Sequence, residues 1–461
     1  MRSTMCFASA LVSTIAATVL AGCVSVSGER GAAAVNEQLR ARGAPPADFG
    51  VGPRPDVPAG TSLGVDEAVR LAFERSPAVR ALYDEIGVST ADLVAARRPP
   101  NPTLGYTKLT GGGAEQITRS VSFGFADLLL LTSRTKLANA DYENTRDRVA
   151  AKLLALESDV RTAWYDAAAA AQDAEVALLA ARAAQASADY ARRLDAAGNI
   201  TPRSLALELA SAADGEIAAA RAHADALRAR AHFATLVGLS TRDDWHVPTR
   251  LPAPADADSL PAGSVDHALQ MRLDLAAAKR EASAFDDVLG AARAWRWLGD
   301  LEIGYERETE TDGARLRGLT FAFTLPLFGF NRDGVLRAEA ARDAAHARAT
   351  SLELAVRNDV ALAQDRMATA RDVARIYRTA LMPQREAATA RTLEEVNYML
   401  SGAFELLATR REQFAAYREY VGAVRDYWVA RVDLERALGA RLAGDASTPA
   451  TLDLGLTGES E

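Results

Sequence analysis

The sequence predicts a mainly α-helical protein with a membrane β-barrel portion, arranged as two tandem helix–β-hairpin–long-helix–helix repeats. Three observations lead there: internal similarity at a spacing of about 200 residues, two heptad-like stretches too long for a compact domain, and paired stretches of alternating polarity. The composition agrees. Of 461 residues, 49% are hydrophobic, and about a fifth are Ala, well above ordinary usage. The net charge of -8, with 53 Lys and Arg against 61 Asp and Glu, argues against a nucleic-acid partner. Cysteine occurs only as Cys6 and Cys23, which excludes a disulfide framework, a thiolate metal cluster and a catalytic thiol in the body of the chain. The five His (His223, His232, His246, His267, His346) have no metal-site spacing. There is no Gly-x-Ser-x-Gly motif and no phosphate loop, so neither an enzyme nor a bound cofactor or metal is expected.

Residues 1–22 read as a signal peptide: Arg2, an apolar stretch from about Phe7 to Leu20, then small residues. Leu20-Ala21-Gly22-Cys23 resembles the bacterial lipobox, which implies that Cys23 is acylated; an ordinary signal peptide with an incidental Cys is the other reading. Val24 rather than Asp follows, so an outer-membrane destination with lipid anchoring is expected. Residues 23–61 are rich in Gly, Ala and Pro and read as a lipidated tether.

Two repeats follow, 62–238 and 264–441, joined by a proline-containing linker, 239–263. Val65-Asp66-Glu67-Ala68 opens the first and Val265-Asp266-His267-Ala268 the second. A helix over about 64–97 stops at Pro99-Pro100, where donors are missing and the preceding residue is restricted. Alternating stretches at about 102–109 and 117–127 flank Thr110-Gly111-Gly112-Gly113 and predict a hairpin. A long helix over about 132–196 carries Val149, Leu153, Leu156, Val160, Trp164, Ala167 and Ala171 at gaps of three and four. At 1.5 Å per residue such a helix is a rod of about 100 Å that must pair along its length. The return helix, about 202–238, does this. The second repeat predicts helices at 264–297, 333–399 and 403–441 and strands at 300–310 and 316–327, and residues 442–461 form a tail. Gly198-Asn199-Ile200 and Gly402-Ala403-Phe404 interrupt the helical runs, and both glycines fit the left-handed position that ends a helix. Trp164-Tyr165 and Trp295-Arg296-Trp297 read as packing or interfacial anchors.

A lone hairpin is marginal in water. Leu319, Phe321, Phe323 and Leu325 alternate with Thr320, Ala322 and Thr324, and Leu301, Ile303 and Tyr305 alternate with Glu302, Gly304 and Glu306. That pattern fits an apolar-out, polar-in membrane strand, and equally a soluble sheet packed on the helices. Four strands cannot close a membrane barrel, but a trimer would bring twelve.

Over about residues 62–440 the chain resembles the TolC-type outer-membrane factors of efflux pumps and type I secretion. The resemblance rests on Leu63-Gly64-Val65-Asp66-Glu67-Ala68 with Ser76-Pro77, the segment Leu325-Pro326-Leu327-Phe328, the two tips and the tandem order. It implies a homotrimer with a 12-stranded outer-membrane barrel and a periplasmic α-helical barrel. Its implied partners are a periplasmic adaptor (membrane fusion) protein, an inner-membrane transporter of RND type and outer-membrane lipid. It also implies adaptor docking at Arg192, Arg193, Leu194, Gly198, Asn199 and Ile200 on one tip and at Tyr398, Leu400, Gly402, Ala403 and Phe404 on the other. Some members gate the pore with acidic rings near the tips; Glu405 is the residue here that could serve, since Arg410 and Arg411 follow it. The stretch 325–334 is similar to that of heavy-metal efflux members, with Gly329-Phe330 interposed. The implied function is an outer-membrane channel that passively conducts pump substrates. The alternatives are a poreless periplasmic coiled-coil lipoprotein and a protein-secretion conduit.

Overall fold

The computed structural model describes residues 31–49, 57–255, 260–261, 263–294, 296, 301–324 and 331–442. Cys23 and the signal peptide, Trp295 and Trp297, Leu325 to Phe330 and most of the tail lie outside the described residues. The chain divides into two compact units. One comprises Met1–Ala33, Tyr83–Arg146 and Lys279–Ala347; the other comprises Ala34–Leu82, Asp147–Ala278 and Arg348–Glu461. Among the described residues no helix is long and apolar enough to cross a membrane.

In chain order the elements are α1 (Ala32–Ala41), β1 (Thr61–Ser62), α2 (Val65–Arg75), α3 (Pro77–Arg97), β2 (Thr103–Gly111), β3 (Ala114–Gly124), α4 (Phe125–Ala196) and α5 (Pro202–Val237). After these come β4 (Trp245–His246), α6 (Ser264–Met271), α7 (Leu273–Ala294), β5 (Leu301–Thr309), β6 (Arg315–Phe323) and α8 (Arg332–Ile376). A π-helical turn (Tyr377–Leu381), α9 (Met382–Asn397) and α10 (Ala403–Leu438) complete the chain. The order helix, hairpin, long helix, helix thus occurs twice.

Several boundaries differ from the sequence reading, each for a local reason. The helix expected over 64–97 is two, because Ser76 is extended at ψ 125° ahead of Pro77, and proline disfavours the helical region for the residue before it. Its counterpart breaks at the extended Arg272 (ψ 119°). The tether is not simply a spacer. It contains α1, whose Val35 and Leu39 are buried, and Arg42 donates to the carbonyl of Met271 at 2.9 and 2.7 Å. The linker contributes β4, which pairs in parallel with β1 through Thr61–Trp245 and Ser62–His246.

In the unit that contains the long helical hairpins, the expected stripe on α4 is the core. Val149, Leu153, Val160, Trp164 and Ala167 are buried; Leu156 and Ala171 are half-buried at its margin. Further along α4 the stripe narrows to alanine: Ala177, Ala181, Ala184, Ala188 and Ala191, all buried at alternating gaps of four and three. Small side chains let α5 approach closely. A Cβ placed on Gly215 would stand 3.2 Å from the Ala181 Cα. The aromatic cluster is packing: Tyr165 stacks on Trp428 at 5.2 Å, and Trp164 and Tyr427 lie edge-on. Both buried indoles are satisfied, Trp164 donating to Leu63 O at 2.7 Å and Trp428 to Pro252 O at 2.9 Å. Leu63, which opens the repeat motif, is therefore a core contact as well as a landmark.

The second long helix is not continuous. In its first part the buried positions Val360, Ala363 and Met367 correspond to Val160, Ala163 and Ala167, an offset of 200. Beyond the π turn, Met382 and Thr389 correspond to Ala181 and Ala188, an offset of 201. A π turn accommodates one extra residue without ending the helix. Pro383 accounts for its position: lacking an N–H, it cannot bond the Thr379 carbonyl, and its ring crowds that carbonyl. The Met382 N–H reaches Tyr377 O instead.

The same unit buries ions. Arg161 (2% exposed) pairs with Glu435 (4%), and Glu157 lies 3.2 Å from Arg441. Burial pushes the Glu157 carboxyl up, opposed by Arg441 and Arg161. Removing one partner of a buried pair leaves an uncompensated charge. Glu435 also lies 3.5 Å from the buried Arg431, so Glu435→Ala removes a carboxylate that faces two buried guanidiniums and is expected to cost about 3–5 kcal/mol, whereas Glu435→Gln, which keeps the side chain's size and hydrogen bonding, should lose less. The loss of helical circular dichroism on heating, compared across the three proteins, checks this.

Candidate functional site

In the other unit the two hairpins do not stand alone. They form one antiparallel sheet of order β2-β3-β5-β6, with β3 and β5 joining the halves. The register decides which residues share a face, because directly paired residues project to the same side and neighbours alternate. One row is Leu104–Val121–Tyr305–Leu319; the next is Phe123–Ile303–Phe321, followed by Leu301–Phe323. Among the described residues nothing covers this apolar face: Leu104 is 76% exposed, Leu319 68% and Phe321 67%. The opposite face holds Ser120, Ser122, Thr320, Ala322, Glu302 and Glu306. It is crowded and self-satisfied. Ser122 donates to Glu302, and Gly304 is buried beneath Thr320 and Ser122. Ser120, Ser122, Gly304, Thr320 and Ala322 on it are small.

Of the two readings left open by the strand pattern, a soluble sheet packed on helices requires the apolar face to be covered within the unit. It is the exposed one. On the first strand, Leu104 and Tyr106 fall on the same side as Leu319 and Phe321. A row that pattern reading missed is Tyr106–Arg119–Arg307–Arg317, one step toward the hairpin turns from the apolar rows. Its signal was present as strand parity, but only the register brings residues from four strands side by side.

The helical tips lie in the unit of the long helices. At the first, Asn199 N–H bonds Leu194 O (2.8 Å) and Gly198 N–H bonds Asp195 O (2.9 Å). This is a Schellman closure, with Gly198 at φ +71°. Thr201 then caps α5, its hydroxyl accepting from Ser204 N–H at 3.2 Å. Arg192, paired with Asp189 at 2.5 Å, Arg193, Gly198 and Asn199 are exposed, while Leu194 and Ile200 are half-buried.

The second tip departs from expectation. Gly402 is not in the left-handed region; it is extended at φ −87°, ψ 153° and serves as the N-cap of α10. The left-handed position is taken by Met399, φ +59°. Leu400 N–H bonds Glu395 O (2.9 Å) and Met399 N–H bonds Val396 O (3.0 Å), the same closure as at the first tip. Met399 therefore corresponds to Gly198, and Gly402 to Thr201, each 201 residues on. Matching glycine to glycine, at an offset of 204, therefore set the second tip three residues too far along. Tyr398 (78% exposed), Met399 (94%) and Leu400 (79%) form a bare apolar knob. Ala403 and Phe404 are half-buried, and Phe404 packs on Tyr190 at 5.5 Å, which ties the two helical hairpins together near their ends. Glu405 is exposed in the first turn of α10, where its carboxylate is favoured by the helix N-terminus. It accepts from Ser401 Oγ at 2.6 Å.

These geometries separate the two glycines. Gly198→Ser places a Cβ at positive φ and is expected to destabilise by about 1–2 kcal/mol. Gly402→Ser supplies a better N-cap at ordinary dihedrals and should be neutral or stabilising. Comparative thermal denaturation of the two variants reads the difference.

No family model matches the chain. It is 24% identical over 397 residues to the cobalt-zinc-cadmium resistance protein CzcC of Cupriavidus metallidurans, spanning 82% of this chain and 90% of that protein. The CmeC outer membrane channel of Campylobacter jejuni matches with a TM-score of 0.67 at 13% identity, over 87% of this chain and 93% of that one. The open-state MtrE outer membrane channel of Neisseria gonorrhoeae matches with a TM-score of 0.65 at 18% identity, over 84% and 94%. These relatives are a resistance protein and two channels, not enzymes. The chain has the fold of the outer-membrane channels, and the resemblance to the TolC-type outer-membrane factors read from its sequence is borne out by sequence and structure alike.

Proposed function

We propose that the protein is the outer-membrane channel of a tripartite efflux pump, conducting substrates passively out of the cell. The observation that carries this is the four-stranded sheet, whose apolar face is bare and whose outer strands β2 and β6 pair with nothing further among the described residues. On this reading the chain arose by tandem duplication and assembles as a homotrimer. Three sheets edge to edge would make a 12-stranded barrel, apolar outside and polar within, as membrane barrels are built. Exposed apolar residues on α5 (Leu207, Leu227) and α8 (Leu354, Leu362) suit helix contacts between subunits in a periplasmic helical barrel.

The tips would dock a periplasmic adaptor protein through Arg192, Arg193, Leu194, Gly198, Asn199 and Ile200, and through Tyr398, Leu400, Gly402, Ala403 and Phe404. The adaptor would couple the channel to an inner-membrane transporter of RND type. Glu405 remains the candidate for an acidic gate. Since CzcC is named for cobalt, zinc and cadmium resistance, divalent metal ions are the proposed cargo. Among the described residues no group of three or more His, Cys, Asp or Glu could hold a metal ion. A passive conduit needs none, and selectivity would rest with the transporter.

Purified protein is expected to run as a detergent-stable trimer and to open pores in a planar bilayer; absence of both would overturn the reading. Phe321→Arg, which would put a cation on the lipid-facing surface at a cost of about 2–4 kcal/mol per chain near the bilayer midplane, should prevent insertion while the helical circular dichroism persists. We also propose that Cys23 carries lipid and tethers the mature chain to the outer membrane. Cys23→Ser should abolish labelling by a radioactive fatty acid and leave the signal peptide uncleaved, and normal processing of that variant would refute the lipid anchor.

A further inference from the structure

The charges of the sheet are sorted by face. Glu302, Glu306 and Glu308 all project to the polar side, in register with Ala322, Gly318 and Leu316. Lys108, Arg119, Arg307, Arg315 and Arg317 all project to the apolar side, where Glu115 is the single acid, paired with Lys108 at 3.0 Å. Arg119, Arg307 and Arg317 are direct partners on three adjacent strands, with Tyr106 completing the row. Strands lie about 4.8 Å apart, so three guanidiniums share about 10 Å of surface. Like charges placed directly opposite destabilise a sheet. All three are exposed, and none has a carboxylate partner among the described residues. Thr309, Ile117 and Arg315 bound the row toward the hairpin turns, and Val121, Tyr305 and Leu319 toward the apolar band.

We propose that this arginine row binds the phosphate groups of anionic lipid headgroups, namely a phosphorylated glycolipid of the outer leaflet. The inference rests on the barrel reading above, which makes the apolar rows the lipid-facing band. A guanidinium offers a planar fork that matches phosphate in two-point contact. Three of them, one step beyond the greasy band and beside Tyr106 and Tyr305, stand where a headgroup phosphate meets the hydrocarbon boundary. Tyrosines are the residues that membrane barrels place at that boundary. The turn end of the hairpins, on which the row lies, is the end away from the helices that flank the strands, and so faces the outer leaflet. The threefold assembly would repeat the site around the barrel. A phosphate there would neutralise a repulsion that the protein itself leaves unbalanced.

The test compares wild type with the triple variant Arg119→Gln, Arg307→Gln and Arg317→Gln. Each is reconstituted in phosphatidylcholine vesicles doped with diphosphoryl lipid A or with its dephosphorylated form, then extracted in mild detergent. Native mass spectrometry counts the glycolipid retained per trimer, and bilayer conductance reports the pore. Wild type should retain diphosphoryl lipid A, and the triple variant about tenfold less, with conductance preserved. Millimolar inorganic phosphate should leave retention unchanged. Equal retention by the variant, equal retention of the dephosphorylated lipid, or full displacement by inorganic phosphate would each overturn the proposal. Should the triple variant fail to assemble, Arg307→Gln, which alters only the central member of the row, is read instead and should lower retention several-fold. A wild type that conducts but retains no phosphorylated glycolipid defeats this inference alone; one that neither inserts nor conducts defeats the barrel reading with it.

Discussion

An open sheet with one greasy face is an unfinished object. Among the described residues, β2 and β6 each leave a row of backbone donors and acceptors unpaired, and Leu104, Leu319, Phe321 and Phe323 are exposed with nothing over them. Water could satisfy the edges but not the face; lipid could cover the face but not the edges. One arrangement answers both demands, in which further copies of the same sheet close the edges and a bilayer covers the apolar side. The other features of this unit read as consequences. The polar side sets small residues beside its acids, as the inside of the proposed barrel would need. Its acids sit where water would remain.

The long helices meet a different constraint. A helix the length of α4 has no compact core to bury its stripe in, so it must be zipped to a partner residue by residue. The chain does so with alanine from Ala177 to Ala191, where little apolar area is available per contact and close approach compensates through dispersion. Nearer the other end of the same unit, the seam changes to Trp164, Tyr165, Tyr427 and Trp428 with buried ion pairs. The narrow seam and the broad one share a helix, so the unit has a well-anchored body and a slimmer end that carries the helical tips. The single π turn shows that register along these zippers is tightly held. An added residue is absorbed locally near Pro383, and the buried positions on either side keep their partners.

Much of this was legible in the sequence because it is periodic. The stripe Val149, Leu153, Val160, Trp164 announces itself at gaps of three and four, and the alternation from Leu319 to Phe323 announces a two-sided strand. What escaped was whatever depends on registering distant segments against one another. The tips were matched glycine to glycine, but chain geometry matches Gly198 to Met399. A hydrogen-bonded closure can force even a non-glycine residue into the left-handed region, and nothing local in Tyr398-Met399-Leu400 announces that. Pro383 was the visible clue to the extra residue, yet a proline in a long helix signals a disturbance without saying which kind. Cys23 and the segment from Leu325 to Phe330, both prominent in the sequence, lie outside the described residues.

The sorting of charge on the strands argues further than hydrophobicity does. Hydrophobic alternation alone says that one face avoids water. It does not distinguish a lipid bilayer from a protein partner. A protein partner for five bases and one acid would be strongly acidic and would need no apolar band one step away. A bilayer supplies the two chemistries in that order and at that distance: hydrocarbon against Val121, Ile303 and Phe321, then anionic headgroups against Arg119, Arg307 and Arg317. The acids Glu302, Glu306 and Glu308 complete the argument from the other side, since carboxylates are poor neighbours for phosphate and all three are turned away from it. Face selection of this kind costs a sequence nothing in strand propensity, because Arg and Glu are comparably tolerated in strands. Its consistency on β5, where three acids face one way and Arg307 the other, therefore supports the proposed barrel independently of the apolar pattern that first suggested one.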